Sequence, residues 1–349
     1  MNNQDTNSGK QPQVAVVILN WNGEKLLREF LPEVIATTNP EIARVIVADN
    51  GSTDGSRELL AREFPGVECI LFDENYGFAG GYNKAIDRLD YRYTVLLNSD
   101  VATGAGWVDT LYRFMECNPD VGACQPKILS YNSADKFEYA GAAGGFIDRN
   151  GYPYCRGRIF DTCETDEGQY DTDIDIFWAS GACLMVRTDL YRKAGGLDTA
   201  FFAHMEEIDL CWRILLEGYR ITAVPEAAIY HLGGGSLPDS NPRKTYLNFR
   251  NNLLMLHKNL PDGIRGRKLF VRRLLDTIAW AKYTVILKFK FAAAILKAHR
   301  DFAKMRKAYT THPKINLLAA RPDCRVNILT SYYLRGRKHF SDLKQYPKQ

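Results

Sequence analysis

The sequence lacks most of the features that would classify a chain quickly. Its eight cysteines form no CxxC pair and no Cys/His zinc spacing, which excludes a zinc ribbon or a disulfide-stapled scaffold. No run approaches the ~18 uncharged apolar residues of a membrane-spanning helix. The longest candidate, Ala279–Ala298, is interrupted by Lys282, Lys288, Lys290 and Lys297, which scatter around a single helix projected at 100° per residue. No signal peptide opens the chain, since MNNQDTNSGKQPQ is polar and reads as a disordered tail over residues 1–12. Cysteine usage and the missing leader together predict a reducing cytoplasm. No GxGxxG follows the first strand, which disfavours a dinucleotide oxidoreductase.

Strong net charge is also absent, but only on average. The 349 residues carry a formal +4, yet residues 264–349 hold 21 Lys and Arg against 4 Asp and Glu. The rest holds 24 against 37, so a body of −13 is joined to one of +17. With 46% hydrophobic, 25% charged and 12% aromatic residues, the chain has the composition of a globular protein with a substantial core.

What is present is strand–helix alternation. Val14–Asn20, Ala43–Asp49, Val67–Asp73 and Tyr93–Asp100 are apolar runs suited to strands buried on both faces, with helical stretches between them. A further strand is expected at Ile176–Val186 and a helix at Glu206–Gly218, with hairpins over Ala140–Phe160. This predicts an α/β fold with a doubly wound, mostly parallel sheet. Ligands of such sheets bind beyond the carboxyl ends of the strands, where Asn20, Asp49 and Asp100 all fall.

Four sites follow. Asn98-Ser99-Asp100 offers oxygen ligands for Mg²⁺ or Mn²⁺, although a polar turn would use the same residues. Asp49 can accept hydrogen bonds from a nucleobase or ribose, whereas Ser52 and Asp54 could equally form an Asx turn and helix cap. Glu206, Glu207 and Asp209 open a helix whose Ile208, Cys211, Trp212 and Leu215 make a buried face. An acid there is placed to act as a general base, while Asp209 and Arg213 could form an ordinary surface pair. His231 precedes a glycine run able to approach a phosphate closely.

The segments ILNWNG, ADNGSTDGS, ENYGFAGGYNKAI, LLNSDV, GGLDTAFFAHMEEIDLCWR and YHLGGGS, in this order, resemble glycosyltransferase family 2, most of all its rhamnosyltransferase-like branch. The resemblance covers roughly residues 13–260. It implies a GT-A fold, a nucleoside-diphosphate sugar donor, a divalent metal and transfer with inversion. By position it assigns Asp49 to the base, Asp100 to the metal and His231 to metal or diphosphate. Asn20, Ser52, Asp54, Asn75, Gly80, Asn83 and Asn98 fall in donor-binding segments. Glu207 takes the place of the general base. Asn98 stands where the commoner motif has Asp, and Glu207 replaces an Asp, so Glu206 and Glu207 both remain candidates.

The expected organisation is a tail at 1–12, a catalytic domain at 13–262 and a basic, mostly helical region at 263–349. The expected donor is a dTDP- or UDP-sugar, and the acceptor a glycan or a lipid-linked hydroxyl in bacterial cell-surface polysaccharide synthesis. The basic region is expected to hold the enzyme against an anionic membrane, on the cytoplasmic face of the inner membrane. Docking of that region on the acidic body is the competing expectation. Nucleic acid is not an expected partner, because a nucleic-acid-binding function leaves the strand-end acids unexplained. A sugar nucleotidyltransferase would need a basic, Gly-rich loop after the first strand, which is missing.

Overall fold

The computed structural model describes residues 12–233 and 241–343. Most of the expected tail, together with Gly234, Gly235 and Ser236, lies outside the described residues. The chain opens with β1 (Val14–Asn20), α1 (Glu24–Thr37), β2 (Ala43–Asp49), α2 (Ser56–Glu63), β3 (Glu68–Leu71), α3 (Gly77–Ile86) and β4 (Tyr93–Leu97). It continues through β5 (Val101–Thr103), α4 (Trp107–Cys117), β6 (Val121–Ser130) and β7 (Ser133–Phe137). A small second sheet comprises β8 (Gly145–Ile147), β9 (Pro153–Cys155), β10 (Arg158–Ile159) and β11 (Thr162–Cys163). The chain then returns to the main sheet with β12 (Ile174–Asp175) and β13 (Cys183–Arg187). After α5 (Thr188–Lys193) and α6 (Glu206–Leu216), β14 (Arg220–His231) completes it. The remainder is helical: α7 (Pro242–Asn259), α8 (Asp262–Val285), α9 (Phe289–Met305) and the short α10 (Leu317–Ala320).

The main sheet runs β12-β14-β6-β13-β4-β1-β2-β3. Strands β1 to β4 and the β6–β14 pair are parallel, while β13 lies antiparallel between β4 and β6. The expected strand at Ile176–Val186 is thus corrected to the shorter β13. Before it the chain turns at Ser180, whose hydroxyl donates to the Ala140 carbonyl and accepts from the Ala182 amide.

Alternation along β1 shows why these runs are wholly apolar. Val14, Val16 and Ile18 pack beneath α1 and α4, whereas Ala15 and Val17 face the layer containing α3 and α6. Both faces of the sheet are covered, as parallel sheets require. All eight cysteines are free thiols, five of them buried.

The basic C-terminal region packs on the acidic body. Leu269, Phe302, Leu318, Cys324, Ile328 and Phe340 join the apolar cluster that contains Leu253–Leu256 of α7 and Trp212 of α6. Ala279–Ala298 is two helices and not one. α8 ends at Val285, Leu287 takes a left-handed φ of 60°, and α9 starts at Phe289. Lys282 therefore lies on α8, Lys290 and Lys297 on α9, and Lys288 in the turn between them. Among the described residues no helix is long and apolar enough to cross a membrane.

Candidate active site

The carboxyl ends of β1 and β2 form a closed polar knot. Asn20 Nδ2 donates to Asp49 Oδ2 at 3.0 Å and to Ser52 Oγ at 3.2 Å. The second Asp49 oxygen accepts from the Ser52 amide at 3.0 Å and from Arg57 Nε at 2.7 Å. Asp49 is completely buried. Burial pushes its pKa up, but the bonds from Ser52, Arg57 and Asn20 outweigh that and hold it below the usual carboxylate range. In this arrangement Asp49 shapes the 50–56 loop and offers no surface to a nucleobase. Asp54 caps twice, accepting from the Glu24 amide at 3.1 Å and the Ser56 amide at 3.0 Å. Ser52 Oγ accepts from the Asn22 amide at 2.9 Å.

The start of α3 abuts this knot. Asn50 donates to Asn75 Oδ1 and to the Gly77 carbonyl, both at 3.0 Å. Asn75 Oδ1 also accepts from the Gly77 amide at 2.8 Å. Gly77 sits at φ +71°, and a Cβ there would lie 3.7 Å from the Phe202 ring. A Cβ on Gly80 would come equally close to the 199–202 loop, 3.8 Å from Thr199 Cγ2. Asn83 points elsewhere. Its amide is consumed by the Leu197 backbone and the Tyr191 hydroxyl, so it braces the loop before α6 and does not face a donor.

The second focus lies at the end of β4. β5 pairs with β14, setting Val101 opposite His231. This brings Asp100 Oδ1 to 3.1 Å from His231 Nε2, with Asn98 Nδ2 3.3 Å from the same nitrogen. On the other side of the ring, Glu138 Oε2 lies 3.3 Å from Nδ1. Burial alone would lower the His231 pKa, but Asp100 and Glu138 overcome it and raise the value to about 10.

Glu138 was not apparent in the sequence. It follows an edge strand in an irregular stretch, and no spacing ties it to a histidine 93 residues on. Asn50 directly follows Asp49 and carries the same strand-end signal, yet only Asp49 was singled out.

The third focus is the N-terminus of α6. The loop before it is strained: Phe202, His204 and Met205 have φ of 66°, 67° and 76°. Such conformations cost about 1–3 kcal/mol each and persist only where the surroundings enforce them. α7 does so here. Asn251 Nδ2 contacts the carbonyls of Phe201, Ala203 and His204 at 2.7–2.9 Å, and Arg250 binds those of Ala200 and Phe201.

The three acids that open α6 have separate fates. Asp209 is fully buried and binds Arg213 at 2.8 Å, Lys258 at 2.8 Å and Asn259 at 2.7 Å. Although burial opposes ionisation, Arg213 and Lys258 depress its pKa. The expected surface pair is therefore a buried clamp between α6 and α7, and Asp209 has no surface to act as a base. Glu206 is buried, at 4% exposure, and Glu207 half-buried. Their Oε2 atoms have no hydrogen-bond partner among the described residues. Burial, reinforced by the Glu207 charge, raises Glu206 well above the carboxylate range. Burial pushes Glu207 up to about 7.

The Ser180–Cys183 turn joins the second and third foci. The Asn98 amide donates to the Ala182 carbonyl at 3.0 Å, while a Cβ on Gly181 would lie 3.9 Å from Glu207 Cβ. Glu207 thus packs against Gly181, the neighbour of Ala182, whose carbonyl accepts from Asn98 two residues before Asp100.

Among the described residues, no three His, Cys, Asp or Glu side chains group as a complete metal cage. Asp100 and His231 nevertheless supply one oxygen and one nitrogen donor. That donor set fits a divalent ion that takes its other ligands from phosphate oxygens and water. His231 would bind such an ion through an unprotonated Nε2, with Glu138 beside Nδ1 to orient the ring. Glu138→Gln is expected to weaken Mn²⁺ binding about 10–100-fold by calorimetry, the range for such supporting carboxylates.

Residues 15–195 match the profile of Glycosyl transferase family 2. The chain belongs to that family. Its sequence is 28% identical over 232 residues to the N-acetylglucosaminyl-diphospho-decaprenol L-rhamnosyltransferase of Mycobacterium tuberculosis, covering 62% of this chain and 75% of that one. It is 22% identical over 247 residues to a low-salt glycan biosynthesis hexosyltransferase of Haloferax volcanii, covering 69% and 74%. The resemblance to the rhamnosyltransferase-like branch therefore holds, and the chain is a glycosyltransferase.

Solved GT-A structures share the fold. Staphylococcus aureus TarS 1-349 with UDP-GlcNAc aligns at a TM-score of 0.56 and 14% identity, over 83% of this chain and 80% of that one. GalNAc-T7 with UDP, GalNAc and Mn²⁺ aligns at 0.56 and 13% identity, over 72% of this chain but about half, 49%, of its own.

A stability prediction follows for this family 2 site. A folded-state carboxyl pKa above the unfolded value means the native state holds protons that the unfolded chain releases. Stability then falls as pH rises through that interval. Glu206→Gln removes this loss and is expected to raise the melting temperature at pH 8 more than at pH 5, as calorimetric scans would show.

Proposed function

We propose that this glycosyltransferase moves a hexose, with inversion, from a nucleoside-diphosphate sugar to a hydroxyl of a glycan or lipid-linked acceptor. The observation that carries the reading is Glu207: a half-buried carboxyl, raised to about 7, packed against the Ser180–Cys183 turn that hydrogen-bonds Asn98, next to the Asp100–His231 pair in sequence. The rhamnosyltransferase relative, named for a diphospho-decaprenol acceptor, supports a lipid-linked substrate. A dTDP- or UDP-sugar remains the preferred donor.

The chemistry is one in-line displacement. The acceptor oxygen forms its bond to the anomeric carbon as the bond from that carbon to the diphosphate oxygen breaks. The bonding pair leaves with the diphosphate, and the hydroxyl proton passes to Glu207. Glu206 lies too deep to share that role. No second carboxylate nucleophile is needed, in contrast to a double displacement. Asp100 and His231 would hold Mg²⁺ or Mn²⁺, which supplies positive charge for the departing diphosphate. The Arg243 guanidinium, 4.8 Å from the Phe202 ring, adds a cation beside the strained loop.

The test is a panel of nucleotide sugars with Mg²⁺ or Mn²⁺, read as release of nucleoside diphosphate. One donor is expected to turn over, and Asp100→Ala to abolish the metal-dependent turnover. Pyrophosphate release instead would indicate nucleotidyl transfer and sink the proposal.

Peripheral attachment to an anionic membrane, on the cytoplasmic face, belongs to the same reading. On α8 the exposed Phe270, Leu274 and Ile278 are four residues apart and form one stripe. The α8–α9 tip exposes Val285 at 79%, Leu287 at 72% and Phe289 at 59%, among exposed Lys282, Lys288 and Lys290. Each such cation near an anionic surface contributes about 1 kcal/mol. Binding at low salt is therefore expected to be stronger to vesicles containing phosphatidylglycerol than to pure phosphatidylcholine. Equal binding would contradict the attachment.

A further inference from the structure

Beside the small sheet, Arg149 and the C-terminal segment form an open cleft of about 420 Å³ that the transfer reading does not use. Four arginines line it, Arg149, Arg325, Arg335 and Arg337, together with the polar side chains of Asn327 and Ser331. No Asp or Glu does. Among the described residues, none of the four guanidinium groups makes a hydrogen bond or an ion pair. Other arginines among the described residues do have acidic partners. Arg220 binds Asp120 and Asp175, Arg272 binds Asp276, and Arg321 binds Asp323.

The walls are held while the charges are free. The Arg149 amide donates to the Val326 carbonyl at 3.0 Å, and Asp148 accepts from the Ile328 amide at 3.1 Å. Lys268 Nζ donates to the Arg149 carbonyl at 2.6 Å, bringing a fifth cation to the wall. Its pKa is lowered by burial and by the charges of Arg267 and Arg149, which outweigh the nearby carboxylate of Asp148.

On the opposite lip, Thr330–Leu334 forms one π-helical turn, a rare geometry that recurs at functional sites. The Arg335 and Arg337 amides bond back to the carbonyls of Thr330 and Ser331 at 3.1 and 3.0 Å. Between them Gly336, at φ +64°, reverses the chain so that both arginines reach the cleft. Gathering like charges in a concavity without counter-charges is unfavourable, and such a site gains most from a multivalent anion.

We propose that this cleft binds a phosphate-bearing ligand, a phosphomonoester or diphosphate group gripped by paired arginine forks. The guanidinium fork matches two phosphate oxygens at once, which a lysine patch does not. The volume falls in the usual ~300–1,000 Å³ range of small-ligand sites. The group could belong to a lipid headgroup or to a soluble phosphate. Nothing in this inference depends on the sugar-transfer reading.

The test uses the full chain, metal-free and at low salt, with inorganic pyrophosphate as probe in titration calorimetry. Pyrophosphate is expected to bind, and the Arg325→Gln/Arg337→Gln pair to weaken it by about tenfold or more. Their guanidinium groups hold no hydrogen bond or ion pair among the described residues, so melting temperature and donor turnover should match wild type. Asp100→Ala should bind pyrophosphate unchanged, which separates this cleft from the transfer site.

A second arm compares phosphatidylcholine vesicles with and without phosphatidic acid. Loss of phosphatidic acid binding in the paired variant, with competition by pyrophosphate, supports a lipid headgroup. Arginine-dependent pyrophosphate binding with unchanged vesicle binding supports a soluble phosphate. If wild type and variant bind both probes alike, the proposal is overturned.

Discussion

Asp209→Ala is expected to destabilise the protein by about 3–5 kcal/mol, the cost of leaving buried cations without their partner. Lys258 and Arg213 converge on this carboxylate, and Asn259 completes its shell. Lys258 also binds Asp198 at 2.7 Å, so the clamp ties α7 to both sides of the strained loop. Urea denaturation should show a lower midpoint. The linkage has a definite sign. The folded-state pKa of Asp209 is depressed, so its contribution is present above the unfolded value and is lost as pH falls through the folded value. The destabilisation should therefore be large at pH 7 and shrink below about pH 4. If Asp209→Ala keeps full stability but loses transfer, Asp209 belongs to the chemistry and not to the scaffold.

Glu207→Gln is expected to lower kcat by about 10²–10⁴, the usual contribution of a positioned general base, with donor affinity nearly unchanged. Glutamine keeps the shape of the side chain and cannot accept the acceptor's proton. With the carboxyl near 7, kcat/KM of the wild-type enzyme should climb as pH rises through 7, because only the ionised form is a base. The variant should lose that rise. Donor binding by calorimetry and turnover over pH 5.5–8.5 together separate base catalysis from donor positioning. Full activity in the variant would move the base to Glu206.

The sheet and the loci of chemistry were legible because parallel strands covered on both faces must be continuous apolar runs. Their first polar residues then mark the ligand-facing rim. Asn20, Asp49 and Asp100 were found on that ground; Asn20 and Asp49 close β1 and β2, and Asp100 lies three residues beyond β4. What each does there was not legible. Asp49 is spent on Ser52 and Arg57, and the latter lies on the next helix, where sequence gives no hint of its direction.

Asp209 looked like one more acid in a first turn because its partners Lys258 and Asn259 lie about 50 residues on. Glu138 was hidden in a stretch without helical or strand periodicity. The hairpin of α8 and α9 was read as a single helix because its turn, Ile286–Lys288, is as apolar and basic as the helices it joins. The opposed charges of the two halves did suggest docking, and Leu269, Phe302 and Phe340 show that a shared apolar core holds them together.

The most direct test of the central claim is the anomeric configuration of the product, read by NMR from its one-bond carbon–hydrogen coupling. One displacement assisted by Glu207 predicts a glycosidic bond inverted relative to the nucleotide sugar. A product that retains the donor's configuration would require a covalent or front-face route and would contradict the account.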